Sequence, residues 1–116
     1  MRSIERQAVQ GELDARRGRD LFLHLETTLG AYARLRDETR PQVGAYIRNG
    51  QVRYERGVIS GTGPYRVGLK LNLGWVYAEG LTDWEVDAQG RLLLAGHDGE
   101  GALGVALELS ETPFPS

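Results

Sequence analysis

Chemistry in this chain could start from its two histidines and the carboxylates near them. His24 and Glu26 stand two apart, His97 is followed by Asp98, and Glu79 and Glu108 fall in or beside apolar alternation. On a strand, residues i and i+2 share a face, so His24 and Glu26 point the same way, opposite Leu21, Leu23 and Leu25. Imidazole plus carboxylate is a borderline-hard ligand set suited to zinc, manganese or iron, so His24, Glu26 and His97 are the candidate ligands of a divalent metal. The same groups could exchange protons without a metal. The simpler use is structural: each histidine hydrogen-bonds turn backbone or a neighbouring carboxylate.

A second set is basic and aromatic. Arg66, Lys70 and Asn72 alternate with Val67, Leu69, Leu71 and Leu73, while Tyr32, Arg34, Tyr46 and Arg48 occupy the polar sides of two other segments. If those faces adjoin, Arg66, Lys70, Tyr46 and Arg48 line a cleft for a carboxylate or phosphate, with arginine as a planar two-toothed donor. Otherwise they form a solvated sheet face. Gly61-Thr62-Gly63-Pro64 lacks the lysine and following helix of a phosphate loop and reads as a turn. Trp75, Tyr77 and Trp84 suit a core or a contact between two copies of the chain. No nucleophile elbow is present.

The elements that must position these residues follow from periodicity. Ser3 can cap a helix over about residues 3–17, in which Ile4, Ala8, Gly11 and Ala15 recur with Val9 and Leu13, and Gly18 ends it. From there the period is two. Leu21 to Glu26 is a strand, and Thr27 to Gly30 turns it into Ala31–Leu35. Arg36 to Gln42 is a polar loop with Pro41. Val43 to Arg48 reads as a strand that turns at Asn49-Gly50 into Val52 and Tyr54, a type I′ hairpin. Glycines around Val58-Ile59-Ser60 permit a bulge or corner. Further strands follow at Arg66–Leu73, Trp75–Ala78, Trp84–Val86, Arg91–Ala95 and Leu103–Leu109, with a turn at Asp87–Gly90. The pattern predicts a single domain over 1–116, mainly β: an antiparallel barrel or two-layer sandwich of seven to nine strands with one N-terminal helix, the β part spanning about 20–112. The helix should plug an end or cover a sheet edge.

Composition bounds the function. Fourteen basic against sixteen acidic residues give a formal charge of -2, which provides no general attraction for nucleic acid or an anionic membrane. Arg16, Arg17 and Arg19 sit where the helix should end and complement its dipole. There is no cysteine, so disulfides, thiolate metal sites and cysteine nucleophiles are excluded. Met1 to Asp20 is too polar for a secretory leader, and a cytoplasmic protein is expected.

Several longer words also recur in a known order: His24 to Thr28, Gly44-Ala45-Tyr46-Ile47-Arg48-Asn49, Gly61 to Lys70, Leu73 to Leu81, Arg91 to Asp98 and Glu111-Thr112-Pro113-Phe114. Over about residues 20 to 114 the chain resembles the YojF family, a group of small uncharacterised bacterial proteins. The resemblance implies a cytoplasmic protein, often encoded beside a deacetylase of the kind used in bacillithiol synthesis, and carries over no catalytic residue. The gene proximity assigns no activity; a β scaffold with a basic, aromatic polar face and no assembled nucleophile favours a non-catalytic accessory or small-anion-binding module, whose partner is that deacetylase or an anionic metabolite of the same pathway. The alternatives are a small metal-dependent enzyme using His24, Glu26 and His97, and a structural homodimer.

Overall fold

The structure is a computed structural model that describes residues 1–28 and 43–115. Among the described residues the elements are β1 (Arg2–Ser3), α1 (Arg6–Ala15), β2 (Leu21–Thr28), β3 (Val43–Val52), β4 (Arg56–Ser60), β5 (Tyr65–Lys70), β6 (Trp75–Leu81), β7 (Asp83–Val86), β8 (Leu92–His97) and β9 (Leu103–Ser110). Six strands form one sheet in the order β1-β7-β8-β9-β2-β3, and three form a second in the order β4-β5-β6, with antiparallel pairing throughout. This is the sandwich rather than the barrel: a barrel needs every strand paired on both sides, whereas here β1, β3, β4 and β6 each pair on one side among the described residues. No helix among the described residues is long and apolar enough to cross a membrane.

The period-two leucines become the core because the register aligns them. Leu23 pairs with Leu109, which pairs with Leu92; Leu25 pairs with Leu107, which pairs with Leu94. Facing them from the smaller sheet are Ile59, Val67, Leu69, Ala78 and Leu81, joined by Val9 and Leu13 of α1 in one buried cluster. Each leucine fully withdrawn from water contributes about 1.5–3 kcal/mol.

The helix is shorter than its sequence pattern suggests, because Ser3 is drawn into β1 and pairs with Asp83. Glu5 takes the N-cap position instead, its carboxylate accepting the Ala8 N–H. Gly18 follows the helix with φ 71° and donates its N–H to the Tyr54 carbonyl. Along α1, Gln10 faces the open edge of β4. Its amide nitrogen donates to the Gly57 carbonyl (2.7 Å) and its oxygen accepts the Ile59 N–H (3.1 Å). The side chain thereby stands in for a neighbouring strand and covers the edge.

Asn49-Gly50 does not make a hairpin. β3 runs through it without reversal: Leu23 pairs with Gly50 and His24 with Arg48, leaving Asn49 as the extra residue of a β-bulge at φ 58°. The left-handed tolerance of asparagine that favours a type I′ turn serves a bulge equally well. The predicted strand through Leu73 also stops early, at Lys70. The Leu71 N–H donates to the Gly74 carbonyl, closing a turn in which Leu73 is 91% exposed. Asp87–Gly90 turns β7 into β8 as its composition predicts, with the Gly90 N–H on the Asp87 carbonyl. The predicted strand Ala31–Leu35, including Tyr32 and Arg34, and the loop Arg36–Gln42 lie outside the described residues.

Two positions make the packing testable. Gly96 of β8 lies under β6, and a Cβ there would run into the carbonyl oxygen of Gly80. Backbone cannot step aside as a side chain can, so Gly96→Ala should cost about 3 kcal/mol, the upper part of the range for overpacking, in urea-induced unfolding. Tyr54 is wholly buried and donates its hydroxyl to the Leu13 carbonyl, and burial pushes its pKa up to about 12 against the pull of Arg16. The unfolded chain loses this proton near pH 10 and the folded chain holds it longer. The contribution is therefore whole below pH 10 and lost as pH rises to about 12, a fall of roughly 2 kcal/mol. Tyr54→Phe should flatten that alkaline slope in unfolding curves recorded from pH 9 to 12.

Candidate ligand-binding site

The outer face of the three-stranded sheet is a small grid. Register places Arg56, Lys70 and Trp75 in one row, Val58, Gly68 and Tyr77 in the next, and Ser60 beside Arg66 in the third. The middle position has no side chain, and the Tyr77 ring fills that space: a Cβ on Gly68 would lie 2.8 Å from Tyr77 Cε1 and 3.5 Å from Trp75 Cε3. Trp75 and Tyr77 stack with centroids 5.4 Å apart and planes 7° from parallel. The Arg66 guanidinium lies 4.0 Å from the Tyr77 centroid, a cation–π contact, and its Nε is 3.3 Å from Glu79.

Beside the aromatic pair is a shallow pocket of about 170 Å³, floored by Val58 and Gly68, walled by Trp75 and Tyr77, and edged by Arg56, Ser60 and Arg66. Lys70, next to it, is ion-paired with Glu55, whose carboxyl the lysine holds below the usual range through its hydrogen bond and its charge. Arg56 is exposed and meets no carboxylate among the described residues. Trp75 is 40% exposed and Tyr77 45%, whereas Trp84 is buried in the other sheet with Arg2 over its ring. The three aromatics therefore do not share a surface.

The structure divides the predicted basic cleft. Arg66 and Lys70 share a face of β5, but Tyr46 and Arg48 belong to β3, in the other sheet. Arg48 is engaged there with the C-terminal segment. Its Nε and Nη2 donate to the Pro115 carbonyl (3.0 and 2.7 Å), its Nη1 lies 3.2 Å from His24 Nδ1, and its guanidinium sits over Phe114. The Asn49 carboxamide adds a two-way grip, donating to the Phe114 carbonyl and accepting the Phe114 N–H.

His24 is buried beneath this segment, with Tyr46 edge-on at 5.3 Å and Phe114 tilted at 6.2 Å. Its Nε2 is 3.6 Å from Glu26. His97 is elsewhere. His24 pairs with Glu108 and Glu108 with Leu93, so His97 lies two strands over and four residues further along, roughly 16 Å away by strand spacing. It lies 3.3 Å from Asp83, whose carboxyl the Thr82 hydroxyl and His97 hold below its ordinary range. Asp98 accepts the N–H groups of Glu100 and Ala102 in the following turn. The metal set His24, Glu26 and His97 is thus not brought together, and among the described residues no group of three histidine or carboxylate side chains is placed to hold an ion.

Comparison with known proteins places this geometry. Residues 3–114 match the family described as "Protein of unknown function (DUF1806)". The chain belongs to the DUF1806 family. It is 48% identical over 114 residues to the Bacillus subtilis (strain 168) protein named "Uncharacterized protein YojF", covering 98% of each chain. Its fold is similar to the crystal structure of Bacillus subtilis YojF protein, with a TM-score of 0.84 and 44% identity over 99% of this chain and 97% of that one. The family resemblance read from the sequence words is therefore correct.

Arg56, Val58, Ser60 and Gly68 are the parts of this DUF1806 face that sequence reasoning missed. Their signal was the alternation Arg56, Val58, Ser60 and a glycine centred between Arg66 and Lys70. Gly68→Ala tests the arrangement. The added methyl should lift the Tyr77 ring and weaken the Trp75 stack, seen as reduced near-ultraviolet circular dichroism, while stability falls by only about 1 kcal/mol because the exposed ring can move.

Proposed function

We propose that this DUF1806 protein is a non-catalytic module that binds a small anionic molecule on the outer face of its three-stranded sheet. The observation that carries the reading is Arg56, a guanidinium without a carboxylate partner among the described residues, on the rim of a pocket that also meets Arg66 and the Trp75–Tyr77 stack. Arginine offers a rigid fork of donors to a carboxylate or phosphate, and the flat aromatic wall excludes water from one side of the contact. Among the described residues, the pocket lining contains hydroxyls on Ser60 and Tyr77 but neither histidine nor carboxylate to activate them. Nucleophilic catalysis needs such a base within hydrogen-bond reach.

A second reading, an accessory role beside a bacillithiol-pathway deacetylase, rests on the family resemblance. The observation that favours it is the exposed run of Leu73, Trp75 and Tyr77, since aromatic side chains dominate protein interfaces. Native mass spectrometry of the two proteins mixed should then show a complex that Trp75→Ala removes.

The anion reading is tested by titrating the intrinsic fluorescence with acetate, benzoate and inorganic phosphate. Trp75, at the pocket, should respond to at least one of them, and Arg56→Met should weaken that response about tenfold, or ~1.4 kcal/mol. A spectrum indifferent to all three anions would refute the reading.

A further inference from the structure

We propose that Asn49-Gly50 is a chemical modification site guarded by the C-terminal segment: the carboxamide resists loss of ammonia while it grips Phe114, and its conversion to aspartate or isoaspartate detaches that segment permanently. The reaction needs only the chain and water. The Gly50 main-chain nitrogen attacks Asn49 Cγ, a new C–N bond forms, the Cγ–Nδ2 bond breaks and ammonia leaves. Water then opens the resulting succinimide at one carbonyl or the other, giving aspartate or its β-linked isomer. Glycine in the second position favours the attack, because no side chain shields its nitrogen and its backbone turns freely.

The fold carries this labile pair for reasons of packing. Position 49 stands at φ 58° in the bulge of β3, a conformation that asparagine tolerates. At position 50 a Cβ would lie 2.9 Å from the Ile47 Cγ2 methyl, on a β-branched side chain with little freedom to turn away. Protection comes from the far end of the chain. Asn49 Nδ2 donates to the Phe114 carbonyl at 2.9 Å, and its Oδ1 accepts the Phe114 N–H at 2.7 Å. A planar Cγ is what lets both atoms meet one residue's backbone at once. Attack makes Cγ tetrahedral and then removes Nδ2, so the carboxamide cannot react and keep both bonds. Nor can the product renew the grip. An ionised aspartate has acceptors only, which sets an oxygen against the Phe114 carbonyl. Isoaspartate also adds a carbon to the main chain after position 49 and offsets the pairing of Gly50, Gln51 and Val52 with β2. Release of residues 113–115 uncovers His24, only 6% exposed beneath them.

The test incubates the full chain at mildly alkaline pH, folded and in urea, and follows conversion at Asn49 by peptide mass spectrometry, with an isoaspartyl methyltransferase assay for the β-linked product. Folded wild type should convert about tenfold more slowly than the urea-unfolded chain, or slower still. Phe114→Ala and Arg48→Met loosen the segment without altering Asn49 or Gly50, and each should convert at least about threefold faster than wild type. Nitrogen-15 backbone spectra certify that each variant is folded. In the same spectra Asn49→Asp, which makes the product directly, should move the Phe114 N–H signal to that of unattached chain. A folded wild type that converts as fast as the unfolded chain would overturn the proposal, as would folded variants no faster than wild type. So would an Asn49→Asp chain that keeps the wild-type Phe114 signal.

Discussion

The two sheets can meet where they do only because position 96 has no side chain. Gly96 lies against the Gly80 carbonyl, bringing β6 onto β8, and the contact leaves no room even for a methyl group. With β6 pinned there, Ala78 and Leu81 turn into the core, and the alternation sends Trp75 and Tyr77 to the outside. A second absent side chain, at Gly68, then lets Tyr77 lie down on the sheet and Trp75 stack beside it. The candidate face is thus the outward half of a constraint set in the interior. The leucine ladder supplies most of the cohesion, and the two glycines decide how closely the layers approach.

Open sheets also have edges to manage, and here two carboxamides contribute. Gln10 offers β4 the donor and acceptor that a neighbouring strand would have offered, and Asn49 does the same for the chain at Phe114. An amide side chain can do this because it carries the same pair of groups as the peptide bond. Asn49 is aimed by its own backbone: the bulge at φ 58° takes it out of the regular alternation of β3. Arg48, next to it, links the same terminal segment to His24. The buried imidazole therefore belongs to the packing of the C-terminus, and Glu26 sits near its other nitrogen.

Much of the fold was legible because burial imposes period two on strands. Leu21, Leu23, Leu107 and Leu109 were identifiable as positions on one apolar face, and Gly18 and Asp87–Gly90 as turn chemistry, whereas the unbroken run Leu92-Leu93-Leu94 shows a strand without showing its inward face. What alternation cannot show is which sheet a strand joins. Arg66 and Arg48 both read as polar-face arginines, yet the chain crosses between layers after Val52, and they end in different sheets. Asn49-Gly50 failed for a related reason, since positive φ permits either a reversal or a bulge, and the choice was made by pairing with β2 and by Phe114. Ser3 was lost to the helix because Asp83, eighty positions later, offered it a strand partner. The histidines were legible as residues able to bind metal, but their separation is a matter of strand order, which composition does not encode.

The grip on the C-terminal segment has an uneven consequence for mutation. Asn49 and Arg48 hold Phe114 and Pro115 mainly through main-chain atoms, carbonyls that every residue has and an N–H that proline alone lacks, so the gripping residues are constrained far more tightly than most of what they grip. Thr112, Pro113 and Pro115 are exposed and can drift in sequence without loosening the attachment. Phe114 is buried and also tied by its side chain, with the guanidinium groups of Arg48 and Arg91 both against its ring. Sequence drift at this end of the protein is therefore channelled through its neighbours, while one aromatic ring keeps the segment in place.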